Sequence, residues 1–147
     1  MNTSVDNITF NISDNTIPTT STAYGIEFDL SPVNASHIYS IYSYSNLQEN
    51  WDSYGAKKPN NSAIIKAINF IIRELNAREY EVFYTAPTAD GDILVELKHK
   101  NVNLEFIFSG EVEDKVIGSC DEDLHAQEAL NDTTLHSYLK WLKNDVS

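Results

Sequence analysis

Apolar residues recur at helical spacing in the middle of the chain and at alternate positions after it, and the two rhythms meet near residue 80. Over residues 61–76, Ile64, Ile68, Ile71 and Leu75 share one face and Ile65 and Ile72 flank it, which predicts an amphipathic helix. At about 100° per residue, Lys66, Asn69, Arg73 and Asn76 take the opposite side. Phe70 falls among them, so it is either buried under residues 1–45 or exposed for a partner.

Period-two alternation then takes over. Tyr80, Val82 and Tyr84, then Ile93, Val95 and Leu97, then Val102, Leu104, Phe106 and Phe108 each place apolar groups on one face, with Glu81, Glu96, Lys98, Asn103 and Glu105 between them. Turns are expected at Pro87 to Asp92, at His99-Lys100-Asn101 and at Ser109-Gly110, the last leading to a fourth strand over residues 112–119. Asp121-Glu122-Asp123-Leu124-His125 reads as an acidic loop. Asp132, Thr133 and Thr134 offer caps for a final helix with Leu135, Tyr138, Leu139 and Leu142 as its stripe and Trp141 at its flank.

Before the central helix the pattern is weaker. Residues 37–44 alternate between strand and helix readings, and Ile38, Ile41 and Tyr42 on one side favour a helix after a turn at Ser31-Pro32. Residues 1–24 are rich in Thr, Ser and Asn, and the alternation of Ile8, Phe10 and Ile12 makes a strand or a segment disordered until docked equally good readings. The predicted fold is α+β: an antiparallel β-meander of three to four strands packed by two helices, one domain over residues 25–147 behind the N-terminal segment.

The stretch that starts the central helix is Asn50-Trp51-Asp52-Ser53-Tyr54-Gly55-Ala56-Lys57-Lys58-Pro59. Trp51 and Tyr54 are expected to bury their rings and pin the helix start, Gly55 suits a positive φ, and Asn60 or Asn61 can cap the helix. Asp52 is either a working carboxylate or an acceptor of backbone N–H groups in its own turn. With Pro59 and Ala63-Ile64, this stretch resembles a widespread family of small uncharacterised bacterial proteins whose pattern reads Trp-Asp-Gly-Tyr-Gly-Ala, a Pro, a Ser cap, a helix and a later Asp-Gly hairpin. Here Ser53 stands for the family's Gly and Asn60 for its Ser, and Asp90-Gly91-Asp92-Ile93 matches the hairpin. The likeness spans roughly residues 46–110. It implies a bacterial or phage origin and a shared fold, and carries over no catalytic residue.

Composition changes the picture through charge. Among 147 residues, 22 acidic against 10 basic side chains give a net charge of −12, which disfavours direct binding of nucleic acid or an anionic membrane and suits a basic protein partner. No apolar run approaches the roughly 20 residues that span a bilayer, and the first residues lack the pattern of a secretory signal, so a cytosolic location is expected. One cysteine, Cys120, excludes an internal disulfide and is followed by acids that disfavour its thiolate.

Candidate chemistry is dispersed. His37, His99, His125 and His136 lack metal-ligand spacing, no phosphate-binding glycine loop or nucleophile elbow occurs, and neither metal nor cofactor is expected. Asp90 and Asp92 could pair on a cation but read better as a hairpin loop. Residues 111–123 hold Glu111, Glu113, Asp114, Asp121, Glu122 and Asp123 against Lys115 alone, as either a solvated loop or an acidic patch that steers a basic partner. Together these features point to a non-catalytic acidic binding protein that blocks a basic or nucleic-acid-handling partner, such as a nuclease, in the manner of immunity proteins, antitoxins or defence inhibitors. A self-assembling subunit using a free sheet edge or Phe70 is the alternative. A small hydrolase using Asp52, Asp90 or His99 would need a cleft that gathers them.

Overall fold

Ser31 and Asn60 set where the first two helices begin. The Ser31 hydroxyl accepts the Asn34 N–H at 3.0 Å with Pro32 at the first helical position, an arrangement in which proline's missing donor costs nothing. Asn60 Oδ1 accepts the N–H groups of Ser62 and Ala63. The computed structural model describes residues 2–5, 8–11, 20–23 and 26–144. In chain order these form β1 (Asn2–Val5), β2 (Ile8–Asn11), β3 (Thr20–Ala23), β4 (Ile26–Asp29), α1 (Pro32–Ser43), α2 (Asn61–Phe70), β5 (Tyr84–Pro87), β6 (Ile93–His99), β7 (Val102–Phe108), β8 (Lys115–Cys120), β9 (Asp123–Ala129) and α3 (Asp132–Asn144).

β1 to β4 pair in order as an antiparallel sheet, and β2 takes up the strand reading of Ile8 and Phe10, with Ile12 outside the described residues. β5 to β9 form a second antiparallel sheet, also in chain order. The α+β architecture stands, with five strands in the meander instead of three to four and three helices instead of two. The helix expected near residues 37–44 begins at Pro32. The strand expected from Tyr80 begins at Tyr84, because Val82 spends its N–H on the Asn34 side chain instead of on a neighbouring strand. The fourth strand starts at Lys115. The expected acidic loop at residues 121–125 is a two-residue turn, Asp121 and Glu122 at φ 54° and 69°, after which Asp123, Leu124 and His125 belong to β9. That strand lies at an edge and is exposed on both faces for most of its length, so no alternation marks it.

Helix α2 continues as a π-type turn over Ile71–Leu75 and a tighter turn over Asn76–Arg78, ending at Glu79 with φ 66°. Its buried arc is wider than the isoleucine stripe. Ala63, Ala67 and Phe70, spaced i, i+4 and i+7, form a second line that meets the sheet, where the Phe70 ring lies 4.7 Å from Phe106 and 5.1 Å from Phe108. Phe70 is therefore core, buried under β7 and not under residues 1–45. Its place as an exposed partner contact is corrected. The alanines let the helix approach closely, and their small size hid this second face.

The core joins Ile38 and Ile41 of α1, the α2 isoleucines, the inward residues of β6, β7 and β8, and Leu135, Leu139 and Leu142 of α3. Gly118 makes the α3 contact possible, since a Cβ there would meet the Trp141 ring at 2.9 Å. The α3 cap is Asn131, not the residues after it: Asn131 Oδ1 accepts the Thr134 N–H and Thr134 Oγ1 accepts the Asn131 N–H, both at 2.9 Å. No described helix is long and apolar enough to cross a membrane.

The turn before α2 is held by its own side chains. Asp52 Oδ1 accepts the N–H groups of Tyr54 and Ala56 at 2.8 and 3.0 Å, Asn50 Oδ1 accepts that of Gly55 at 2.7 Å, and the Trp51 indole donates to Lys57 O at 3.0 Å. These backbone donors hold the Asp52 carboxyl below its ordinary range. Trp51 is partly buried, so its truncation costs less than a core tryptophan's. Tyr54 is 93% exposed, which corrects its role as a buried anchor: the turn is closed by polar bonds and needs no ring beneath it. Ser53 sits at φ 68°, the left-handed region that a side chain resists. Ser53→Gly is expected to raise unfolding free energy by about 1 kcal/mol, read from a denaturant midpoint.

Candidate interaction surface

Strand register decides what the meander's second face carries. Ile93, Val95 and Leu97 of β6 and Val102, Leu104 and Phe106 of β7 point into the core, so the residues between them point away from it. Cross-strand pairing then sets these outward residues in rows. One row runs Tyr84, Glu96, Glu105, Ile117 and Gln127. The next runs Ala86, Leu94, Ile107, Lys115 and Ala129. The buried apolar residues of α1, α2 and α3 all belong to the inward core, and no described helix covers this outer face.

The face is neither polar nor apolar throughout. Leu94, Ile107 and Ile117 are partly exposed, and at one margin Phe83 and Tyr84 are 54% and 49% exposed. The Lys98 ammonium lies 5.2 Å from the centre of the Phe83 ring. At the centre Glu96 and Glu105 are direct cross-strand partners. Burial, then the charge of Glu105, holds the Glu96 carboxyl above its ordinary range, with Lys98 opposing. A carboxyl raised in this way binds its proton more tightly folded than unfolded. Its ionisation therefore weakens the fold at neutral pH, and the penalty fades as pH falls through the folded titration towards 4.5. Glu96→Gln is expected to gain up to about 1 kcal/mol at pH 7 and nothing below about pH 4, as melting curves across pH would show.

The acidic residues read from the sequence separate into two groups. Glu111 and Glu113 are exposed on the loop before β8, while Asp121, Glu122 and Asp123 follow its end, about 20 Å away at the rise of a strand. They do not form one patch. Asp114 is committed to its loop, accepting the Ser109 N–H at 2.9 Å and pairing with Lys66 at 3.2 Å. Asp121 accepts from Asn101 Nδ2 at 2.9 Å and so ties the two hairpin turns at that end.

The remaining candidates have local partners. Thr88 Oγ1 accepts the N–H groups of Asp90 and Asp92, and Asn60 donates to Gly91 O, which docks the hairpin on the helix start. Gly91 needs its φ of 86° there. Asp52 and Asp90 share this end of the sheet, whereas His99 lies at the far end, in an open cleft of about 490 Å³ with Arg78, Tyr80, Lys98 and Lys143. Neither Asp52 nor Asp90 lines that cleft. His125 stacks on Trp141 at 4.5 Å, His37 lies 3.4 Å from Thr85 Oγ1, and Cys120 is partly buried beside Asp121. Among the described residues no group of three or more His, Cys, Asp or Glu side chains is placed to hold a metal ion.

Glu96 and Glu105 are visible in the sequence only as polar positions of two strands. The signal that pairs them is the tight turn at Lys100 and Asn101, with Lys100 at φ 55°, which brings His99 opposite Val102 and so Glu96 opposite Glu105. At the sheet edges, Tyr44 donates to Thr85 O and covers part of β5, while β9 is the last strand of its sheet among the described residues and the β8–β9 pairing is bulged near Gly118. No protein-family model, curated protein or solved structure matches this chain.

Proposed function

We propose that this chain is a non-catalytic acidic binding protein whose uncovered sheet face receives a basic, nucleic-acid-handling partner and blocks it, as immunity proteins, antitoxins and defence inhibitors do. The observation that carries the reading is the centre of that face, where two carboxylates stand opposite each other among partly exposed apolar groups. Burial there weakens solvent screening, so a cation brought between them gains more than one on an open surface. The separated groups around Glu111 and around Asp121 serve as the rim. Exposed charges of that kind speed encounter with an oppositely charged surface and contribute little once the complex has formed.

Affinity capture from the source cell at low and at high salt tests this reading. A basic protein held at low salt should be released as the Debye length falls from about 10 Å at 0.1 M towards about 3 Å at 1 M. Capture that is indifferent to salt contradicts it.

A further inference from the structure

We propose that β9 takes an extended basic segment of the partner as a further strand of the sheet, bound through the outward backbone groups of Gln127 and Ala129. This rests on the basic-partner reading above and names the element that the partner must supply.

The two edges of this sheet are built differently. β5 has four residues, ends in Pro87 and carries the Tyr44 hydroxyl on Thr85 O, all devices that blunt an edge. β9 has seven residues, is the last strand among the described residues, and contains no proline, lysine or arginine. Its register shifts once: Gly118 faces Ala126 and Ser119 faces Leu124, so His125 is the extra residue of a bulge. The His125 ring turns onto Trp141 of α3, 4.5 Å away. Residues 126–129 keep an unbroken register with β8. Leu130 donates to Asp114 O at 2.8 Å, and bonded pairs alternate along an antiparallel ladder. Glu128 and Ala126 therefore turn their backbone groups towards β8, and Gln127 and Ala129 turn theirs outward. Leu124, 68% exposed, adds an apolar contact to the same strand.

Charge decides the occupant of this edge. Asp121, Glu122, Asp123 and Glu128 lie on β9 or in the turn before it, and residues 121–129 contain no lysine or arginine. Lys115 of β8, opposite Ala129, offsets one of these charges at most. In strand addition the main chain supplies affinity and alternate side chains supply specificity. Lysines or arginines at alternate positions of the incoming strand would meet the carboxylates across the new pairing. A second copy fits less well, because it would pair two strands that both lack a lysine or arginine, between chains of net charge −12. The first 56 residues contain no lysine or arginine either, and β1 to β4 pair among themselves. An added strand would also widen the outer face, since Gln127 and Ala129 end the rows that begin at Tyr84 and Ala86.

The test is a titration of the full chain, followed by amide hydrogen exchange in NMR. The probes are the end-blocked peptide Lys-Val-Lys-Val-Lys-Val-Lys, its glutamate counterpart, and the lysine peptide methylated at every backbone nitrogen, which keeps the charge and loses the donors. The lysine peptide should bind and slow exchange of the Gln127 and Ala129 amides about ten-fold at saturation, while the other two peptides bind at least about ten-fold more weakly. Gln127→Pro removes an outward donor at a position where an edge strand tolerates proline. It should melt near the wild type and bind the lysine peptide about ten-fold more weakly. The methylated peptide leaves the protein unaltered, so that comparison decides the matter if the variant is destabilised. Equal binding of the two lysine peptides, or binding that leaves those amides exchanging freely, overturns strand addition and leaves the basic-partner reading standing. Protection of the same amides that rises with protein concentration in the absence of peptide gives the edge to a second copy and overturns the proposal. Failure of both lysine peptides to bind the wild type, or an equally tight glutamate peptide, overturns the proposal and the basic-partner reading together.

Discussion

Asn34→Ala should lower the unfolding free energy by about 3 kcal/mol, from the loss of hydrogen bonds to buried backbone. Asn34 is 1% exposed in the first turn of α1. Its Oδ1 accepts the Val82 N–H at 2.8 Å, and its Nδ2 donates to Tyr80 O at 2.9 Å and to Asn76 Oδ1 at 3.0 Å. Asn76 in turn accepts the Ser31 N–H and donates to Asp29 O. One side chain thus joins the start of α1, the end of the α2 region and the segment leading into β5. Alanine would leave the Val82 N–H and the Tyr80 carbonyl without protein partners, at about 1 to 3 kcal/mol for each group that stays buried. Denaturant unfolding checks it: the midpoint should drop with the slope unchanged. A shift below about 0.5 kcal/mol would mean that water replaces all three bonds.

Phe70→Ala carries a larger expected loss, about 3 to 5 kcal/mol, because it removes a ring packed between α2 and two phenylalanines of β7 and leaves a cavity. Phe70 is 8% exposed. A domain of this size has about 5 to 15 kcal/mol of stability in all, so the variant should be marginally folded at 37 °C. The substitution also separates two roles for this residue. A partner anchor would lose binding with its melting temperature intact, whereas a core residue loses melting temperature first. Thermal unfolding followed by circular dichroism distinguishes them.

How far the sequence reveals this molecule depends on where each residue finds its partner. The α2 stripe and the strands β6 and β7 are legible because one apolar period runs through each and one face is buried. Phe70 misleads because a helix touching both α1 and the sheet has two buried lines, and the second is marked mainly by alanines. β9 escapes for the opposite reason, since an edge strand with seven mostly exposed residues needs no apolar alternation. Asn34 gives no local signal at all: its partners at Asn76, Tyr80 and Val82 lie 42 to 48 residues away. The acidic segment shows its charge but not its separation, which comes from β8 running through its middle. At the interaction surface, Glu96 and Glu105 look like ordinary outward positions. Only the register, fixed by the turn at Lys100 and Asn101, makes them a pair.

Binding kinetics of the captured partner test the central claim most directly, with two double variants compared against the wild type. If the sheet face holds the partner, Glu96→Gln with Glu105→Gln should speed dissociation by about ten-fold and leave association nearly unchanged, while Glu111→Lys with Glu113→Lys should slow association and leave dissociation nearly unchanged. Faster dissociation from the loop variant, with the sheet variant behaving as wild type, would place the partner on the acidic loop and contradict the account.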